Sequence, residues 1–541
     1  MYRFFIFLRK TIIFLCSLLF LQNLYSEENY SINPELQDNF VIISALHNYD
    51  LNPHTASYSA EAQILTGLYE GLFSYDPITL DPLYALVKSY RVSRDKKRWT
   101  FILRDDAKFS DGSQITAKDV VYSWLSLIQN PDASYSSFLD IIHGAKAFRL
   151  GEGPAENVAI MPVDDYTLSV HLISPASHFP KLLCMPAFSV VKNAENVFSG
   201  PFVISERTND TIILKKNSNY YDTEHVNLKQ ITLKFSNDEL ENTYNYNIGT
   251  VDWLCSTFNN EKLLSKDSLQ LYAEFATQYY FFKIRKESIC SNLTLRQALL
   301  EATPWETLRE NVYVPASTLV YPLNGYPLVQ GYIYTDKNEA KLLVSQAKKE
   351  LQLQEQSELK IKFAIPDTEY MIKKAEILKE AWNEIGVTLE ISTIPDYEYL
   401  SSISKCDADL FTYTWIGDFA DPLAFLELFR GNSTMNVSNW KNSEYDSLLD
   451  KAALSTDEEH NKLLSSAEQI LLDDAILLPV QHPVSVNIIN LNAVGGWAAN
   501  AFDIHPLKYL FKKETKDMIP NIVMLKCPPQ AMLLKQYPAV A

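Results

Sequence analysis

The apolar run Phe40-Val41-Ile42-Ile43-Ser44 predicts a buried strand, and the loop after it holds Asp50, Asn52 and Pro53. From Ser59 to Leu72 the positions Ile64, Leu65, Leu68 and Leu72 recur at helical spacing, so a helix is expected with Gly71 at its exit. Two strands should follow, at Tyr90 to Ser93 and Trp99 to Leu103. Ser110-Asp111-Gly112 has turn chemistry, with glycine supplying a positive φ, and Thr116 caps a helix that Asp119 supports at its third position. Farther along, Tyr413-Thr414-Trp415-Ile416 reads as a strand, Gly417 admits a close backbone approach, and Asp418 stands just past the strand end. A carboxylate there can meet a ligand cation, although turn chemistry alone makes Asp418 a turn residue. Asp421-Pro422 reads as the start of the next helix.

Composition narrows the class. The chain has 541 residues, 47% hydrophobic and 12% aromatic, enough for two or three well-filled domains. Arg3, Arg9 and Lys10 precede an apolar run from Thr11 to Leu21 and a polar exit to Ser26, the shape of a cleavable secretory signal over 1–26. A spanning helix needs about 20 apolar residues, more than this run offers. Cys16 lies inside the run behind Phe14 and Leu15, which argues against lipid attachment. The formal charge is -18, and removal of three basic residues leaves -18 - 3 = -21, a balance that excludes nucleic acid and anionic membrane as partners. Besides Cys16, the five cysteines Cys184, Cys255, Cys290, Cys406 and Cys527 are widely spaced. They suit neither a zinc site nor a dense disulfide framework, and leave one long-range bridge open.

The motif-rich segment Trp99-Thr100-Phe101-Ile102-Leu103-Arg104-Asp105-Asp106-Ala107-Lys108-Phe109-Ser110-Asp111-Gly112, with Ile115 to Trp124 after it, resembles the signature of the peptide and nickel class of extracytoplasmic solute-binding proteins, solute-binding protein family 5. The nearest likeness is to oligopeptide-binding proteins of ABC importers. Ser199-Gly200-Pro201-Phe202, Leu214 to Asn217, Tyr220-Tyr221-Asp222, Gly249 to Asp252 and the helix at Leu295 to Leu299 continue the resemblance in order. Departures include Tyr221 where the family has tryptophan, and Phe282-Lys283-Ile284-Arg285 ahead of that helix.

The resemblance implies an α/β, periplasmic-binding-protein-like fold of the class II, cluster C type: two lobes with a hinge, plus an extra domain inserted in the first lobe. The implied boundaries are 27–66, 197–275 and 481–541 for the first lobe, 67–196 for the extra domain and 276–480 for the second lobe. It further implies a periplasmic monomer that binds an oligopeptide and delivers it to an ABC permease and its ATPase subunits in the cytoplasmic membrane. No cofactor, metal or catalysis is implied. Carried over residue by residue, Asp418 pairs with the peptide α-ammonium, Tyr413, Thr414, Ile416 and Gly417 give a strand edge, Trp415 walls a side-chain pocket, and Ser57, Tyr58 and Ser59 form the opposite edge. For the peptide carboxylate the candidates are Lys283, Arg285 and Arg430. Two alternatives stay open: the same fold holding a metal chelate, haem or murein peptide, with His47, His54 and His482 as metal candidates, and a secreted hydrolase whose carboxylates carry no motif.

Overall fold

The computed structural model describes residues 39–513 apart from Ser57, Ser177, Ser256, Asn324, Asp418, Ala420 and Thr456, together with the side chain of Asp457. The expected leader, Cys16, Cys527 and the segment 514–541 lie outside the described residues.

Three sheets organise the chain. A seven-stranded sheet runs in the order Leu269–Ala273, Val484–Ile489, Trp253–Cys255, Asn39–Ser44, Gln230–Phe235, Thr211–Lys216 and Phe202–Arg207. At its centre Asn39–Ser44 lies parallel to both neighbours. A six-stranded sheet has the order Val314–Pro315, Leu477–His482, Ala276–Phe282, Leu410–Ile416, Leu359–Pro366 and Val387–Ile394. All seven residues of Ala276–Phe282 are buried, as a strand covered on both faces must be. The third sheet has four antiparallel strands, Val87–Val92, Arg98–Leu103, Thr167–His171 and Ile160–Asp164, packed with the helix Ala117–Gln129. Thr116 and Asp119 form the expected capping box, and Gly112 has φ +84°.

The helix expected to reach Leu72 spans Ser59–Leu68. Tyr69 is extended, and the chain turns inward so that Glu70 is buried beside Lys508 and Tyr220. Here the motif residues do structural work. The Ser199 hydroxyl accepts from the Glu70 N–H at 3.0 Å, Asn217 Nδ2 donates to the Gly200 carbonyl at 2.9 Å, and a Cβ on Gly200 would sit 2.5 Å from the Leu68 backbone. Arg104 lies over the Tyr221 ring, 4.4 Å from its centroid, so tyrosine fills the family's tryptophan position with a cation–π contact. These contacts join the four-stranded unit to the seven-stranded sheet.

The chain crosses between the seven- and six-stranded sheets at 274–275 and at 483, where the Glu274 N–H donates to the Pro483 carbonyl at 3.1 Å. Glu274 is 8% exposed; burial, and then the charge of Asp503, push its carboxyl up to about 8. The folded chain therefore keeps a proton that the unfolded chain loses above about 4.5, and stability falls as pH rises from about 4.5 to about 8. Glu274→Gln, neutral throughout, is expected to flatten this decline in urea unfolding followed across that range; an unchanged slope contradicts it.

Among the described residues Cys184, Cys290 and Cys406 are free thiols. No helix among the described residues is long and apolar enough to cross a membrane.

Candidate functional site

The stretch Leu410–Ile416 is an inner strand at one end and an open edge at the other. Along one side it pairs antiparallel with Ala276–Phe282 over its full length. On the other side its ladder to Leu359–Pro366 covers only Leu410 and Phe411. At the next step the Tyr399 hydroxyl replaces the missing strand: it accepts from the Thr412 N–H at 2.9 Å and lies 3.1 Å from the Thr412 carbonyl. From Tyr413 to Ile416 that edge lines a cavity of about 330 Å³. Thr414 is exposed, Tyr413 and Ile416 are half-buried, and Trp415 is buried with its indole N–H donating to the Ala424 carbonyl at 2.7 Å. The strand ends at Gly417, whose N–H donates to the Phe275 carbonyl at 2.7 Å. A Cβ there would fall 2.5 Å from the Phe275 ring, so only glycine lets the site strand meet the crossing.

Across the cavity stand Tyr58 and Ser59, at the start of the helix Ser59–Leu68, with Phe502 and Ile504. Glu61 fixes this wall, accepting from the backbone N–H groups of Asp50 at 2.7 Å and Tyr58 at 3.0 Å. Tyr135, from the four-stranded unit, closes a third side, its ring centroid 6.4 Å from that of Trp415. A second cavity of about 390 Å³ shares Phe502 with the first, and a third of about 210 Å³ shares Tyr58, Ser59 and Asp396. The three form one cleft between the sheets.

The structure thus brings Tyr413, Thr414, Trp415, Ile416 and Gly417 opposite Tyr58 and Ser59. Asp418 and Ser57 lie outside the described residues. Asp421 acts in the local fold, its carboxylate accepting from the Leu423 N–H at 2.8 Å and facing His460 at 3.1 Å. Lys283, Arg285 and Arg430 line none of the three cavities. Lys283 is buried and donates to the carbonyls of Ile403, Ser404 and Cys406, Arg285 pairs with Asp407 and Asp409, and Arg430 pairs with Glu427 and Asp450. Each is held by the protein itself. Among the described lining residues the single lysine or arginine is Lys181, in the second cavity. His482 is tied to Thr277 and the Ala276 carbonyl, and no group of three or more His, Cys, Asp or Glu among the described residues is placed to hold a metal ion. Tyr135, Tyr399, Asp396 and Phe502 join the site without any local sequence signal, because only the tertiary fold brings them there.

Two lobes, a doubly crossed hinge and a cleft with an open strand edge define an α/β binding protein of the periplasmic type. The chain belongs to the bacterial extracellular solute-binding proteins, family 5, whose model matches residues 81–437. It is similar to the oligopeptide-binding protein OppA of Bacillus subtilis, 29% identical over 465 residues, or 80% of this chain and 85% of that one. The structure of Listeria monocytogenes OppA bound to peptide aligns with a TM-score of 0.77 at 25% identity, covering 88% of this chain and 99% of that one. The murein tripeptide binding protein MppA of Escherichia coli aligns at 0.79 with 24% identity and 88% and 99% coverage. Against the unliganded open form of MppA the score is 0.60, at 23% identity with 89% and 98% coverage.

Proposed function

We propose that this chain is the exported substrate-binding component of an ABC importer and captures short peptides between its lobes. The observation that carries this reading is the strand edge at Tyr413 to Ile416, which the ladder to Leu359–Pro366 does not reach and which faces Tyr58 and Ser59 across the cleft. An extended peptide added to such an edge is held by main-chain hydrogen bonds that do not depend on its sequence. Asp418, next after Gly417, receives the peptide α-ammonium. The seven-stranded sheet with its flanking segments forms the first lobe over 27–66, 197–275 and 481–541, the second lobe covers 276–480, and 67–196 forms the inserted domain. Removal of 1–26 leaves a periplasmic monomer that hands its ligand, chemically unchanged, to a permease and its ATPase subunits. The likeness to MppA favours a murein peptide as a variant of the same reading. Calorimetric titration with tri-alanine, a murein tripeptide and haem tests it: saturable binding of either peptide is expected. Binding of haem alone overturns it.

A further inference from the structure

We propose that the cavity of about 210 Å³ behind Tyr58 is a subsite for a cationic side chain, lysine or arginine, of the bound ligand. This rests on the peptide reading above, and it names which peptides the cleft prefers. The cavity opens from the main one past Tyr58, Ser59 and Asp396, so a side chain leaving a peptide backbone at the strand edge can enter it.

Its lining is acidic. Asp396 and Asp503 line it, one from each side of the cleft, and no lysine or arginine is among its described lining residues. The Asp396 N–H donates to Asp367 Oδ1 at 2.9 Å, so a second carboxylate stands close by, while the Asp396 carboxylate has no cationic partner among the described residues. Burial, with Asp367 adding to it, raises the Asp396 carboxyl above the usual range. Asp503 holds a left-handed backbone, φ +50°, that a side chain rarely adopts. Its Oδ1 accepts from Asn487 at 2.8 Å and faces His505 Nε2 at 3.1 Å, so Asp396 is the carboxylate left without a basic partner among the described residues. Arg207, whose guanidinium donates to the Tyr49 carbonyl at 2.6 Å, does not line the cavity.

A second observation is independent of these acids. His47 also lines the cavity, its side chain is 9% exposed, and neither ring nitrogen has a hydrogen-bond partner. Its Nε2 stands 3.6 Å from Glu61 Oε1, beyond hydrogen-bond reach. Burial lowers its pKa to about 4, so the ring is neutral near pH 7 and offers one nitrogen lone pair to a donor. A buried acceptor without a donor, two carboxylates with no lysine or arginine among the described lining residues and the aromatic walls Tyr49, Tyr58 and Trp253 are together complementary to a long side chain that ends in N–H donors and positive charge.

The test is calorimetry with tetra-alanine and with its single-lysine and single-glutamate variants, the substitution moved through each position after the first. At one position lysine should bind about tenfold or more tighter than alanine, with glutamate weaker than both, and the gap should shrink in high salt. Asp396→Asn and Asp503→Asn should each cut the lysine-to-alanine ratio by about threefold or more, whereas Asp396→Glu should retain it. Because the readout is a ratio within one variant, a general loss of affinity does not imitate it. Equal affinities for lysine, alanine and glutamate at every position, or an advantage that survives in both asparagine variants, overturns the subsite alone. Failure of every peptide, tetra-alanine included, overturns the peptide reading and the subsite with it.

Discussion

Calorimetric titration of Asp418→Ala is expected to give a peptide dissociation constant about 10- to 150-fold above that of the unsubstituted chain, with the melting temperature nearly unchanged. That range is the worth of a charge-assisted hydrogen bond, about 1.5–3 kcal/mol, made where the closing lobes exclude water. The loss grows further if the peptide ammonium is left buried without a partner. The geometry just before it in the chain supports the effect: the open edge ends at Gly417, whose N–H is fixed on the Phe275 carbonyl at the hinge crossing. An N-acetylated peptide, which lacks the charge, should bind the unsubstituted chain weakly and the two proteins alike. If both proteins bind a free-amine peptide equally, Asp418 is not the anchor.

The largest expected effect on stability lies away from the cleft. Lys508→Met should lower the unfolding free energy by about 3–5 kcal/mol, the cost of leaving one member of a buried ion pair unpaired. Lys508 Nζ stands 3.3 Å from Glu70 Oε2, and both side chains are less than a tenth exposed. The Tyr220 hydroxyl also donates to Glu70. Burial alone would pull the Lys508 pKa down, yet Glu70, with Tyr221 and Tyr509, holds it above the usual value, so the lysine is charged in the folded chain. Combining Lys508→Met with Glu70→Gln removes both charges and should recover much of the loss in urea unfolding. A double variant no better than Lys508→Met would show that packing, not the uncompensated carboxylate, sets the cost.

Sequence reasoning reached the local features because local chemistry decides them. The Thr116 capping box, the positive φ at Gly112 and the strand through Tyr413 to Ile416 each follow from residues within a few positions of one another. The end of the helix at Leu68 did not follow, since Ile64, Leu65, Leu68 and Leu72 keep helical spacing. What stops it is the pull of Glu70 toward Lys508, more than four hundred positions away. The same limit applies to the cleft. The strand edge was legible, but its openness depends on Tyr399 ending the ladder at Thr412, and its opposite wall depends on Phe502 and Ile504 returning from the far end of the chain. Lys283 shows the converse, a lysine next to a buried strand whose ammonium is spent on the carbonyls of a loop that sequence does not place beside it.

The central claim is that the cleft between the two lobes holds one peptide. Native mass spectrometry tests it most directly, on protein unfolded and refolded to strip any ligand and then mixed with a pool of short peptides. A shift of one peptide mass per chain, absent from a sample given free amino acids, is the predicted result. A chain that stays at its unliganded mass with every peptide in the pool would contradict the account.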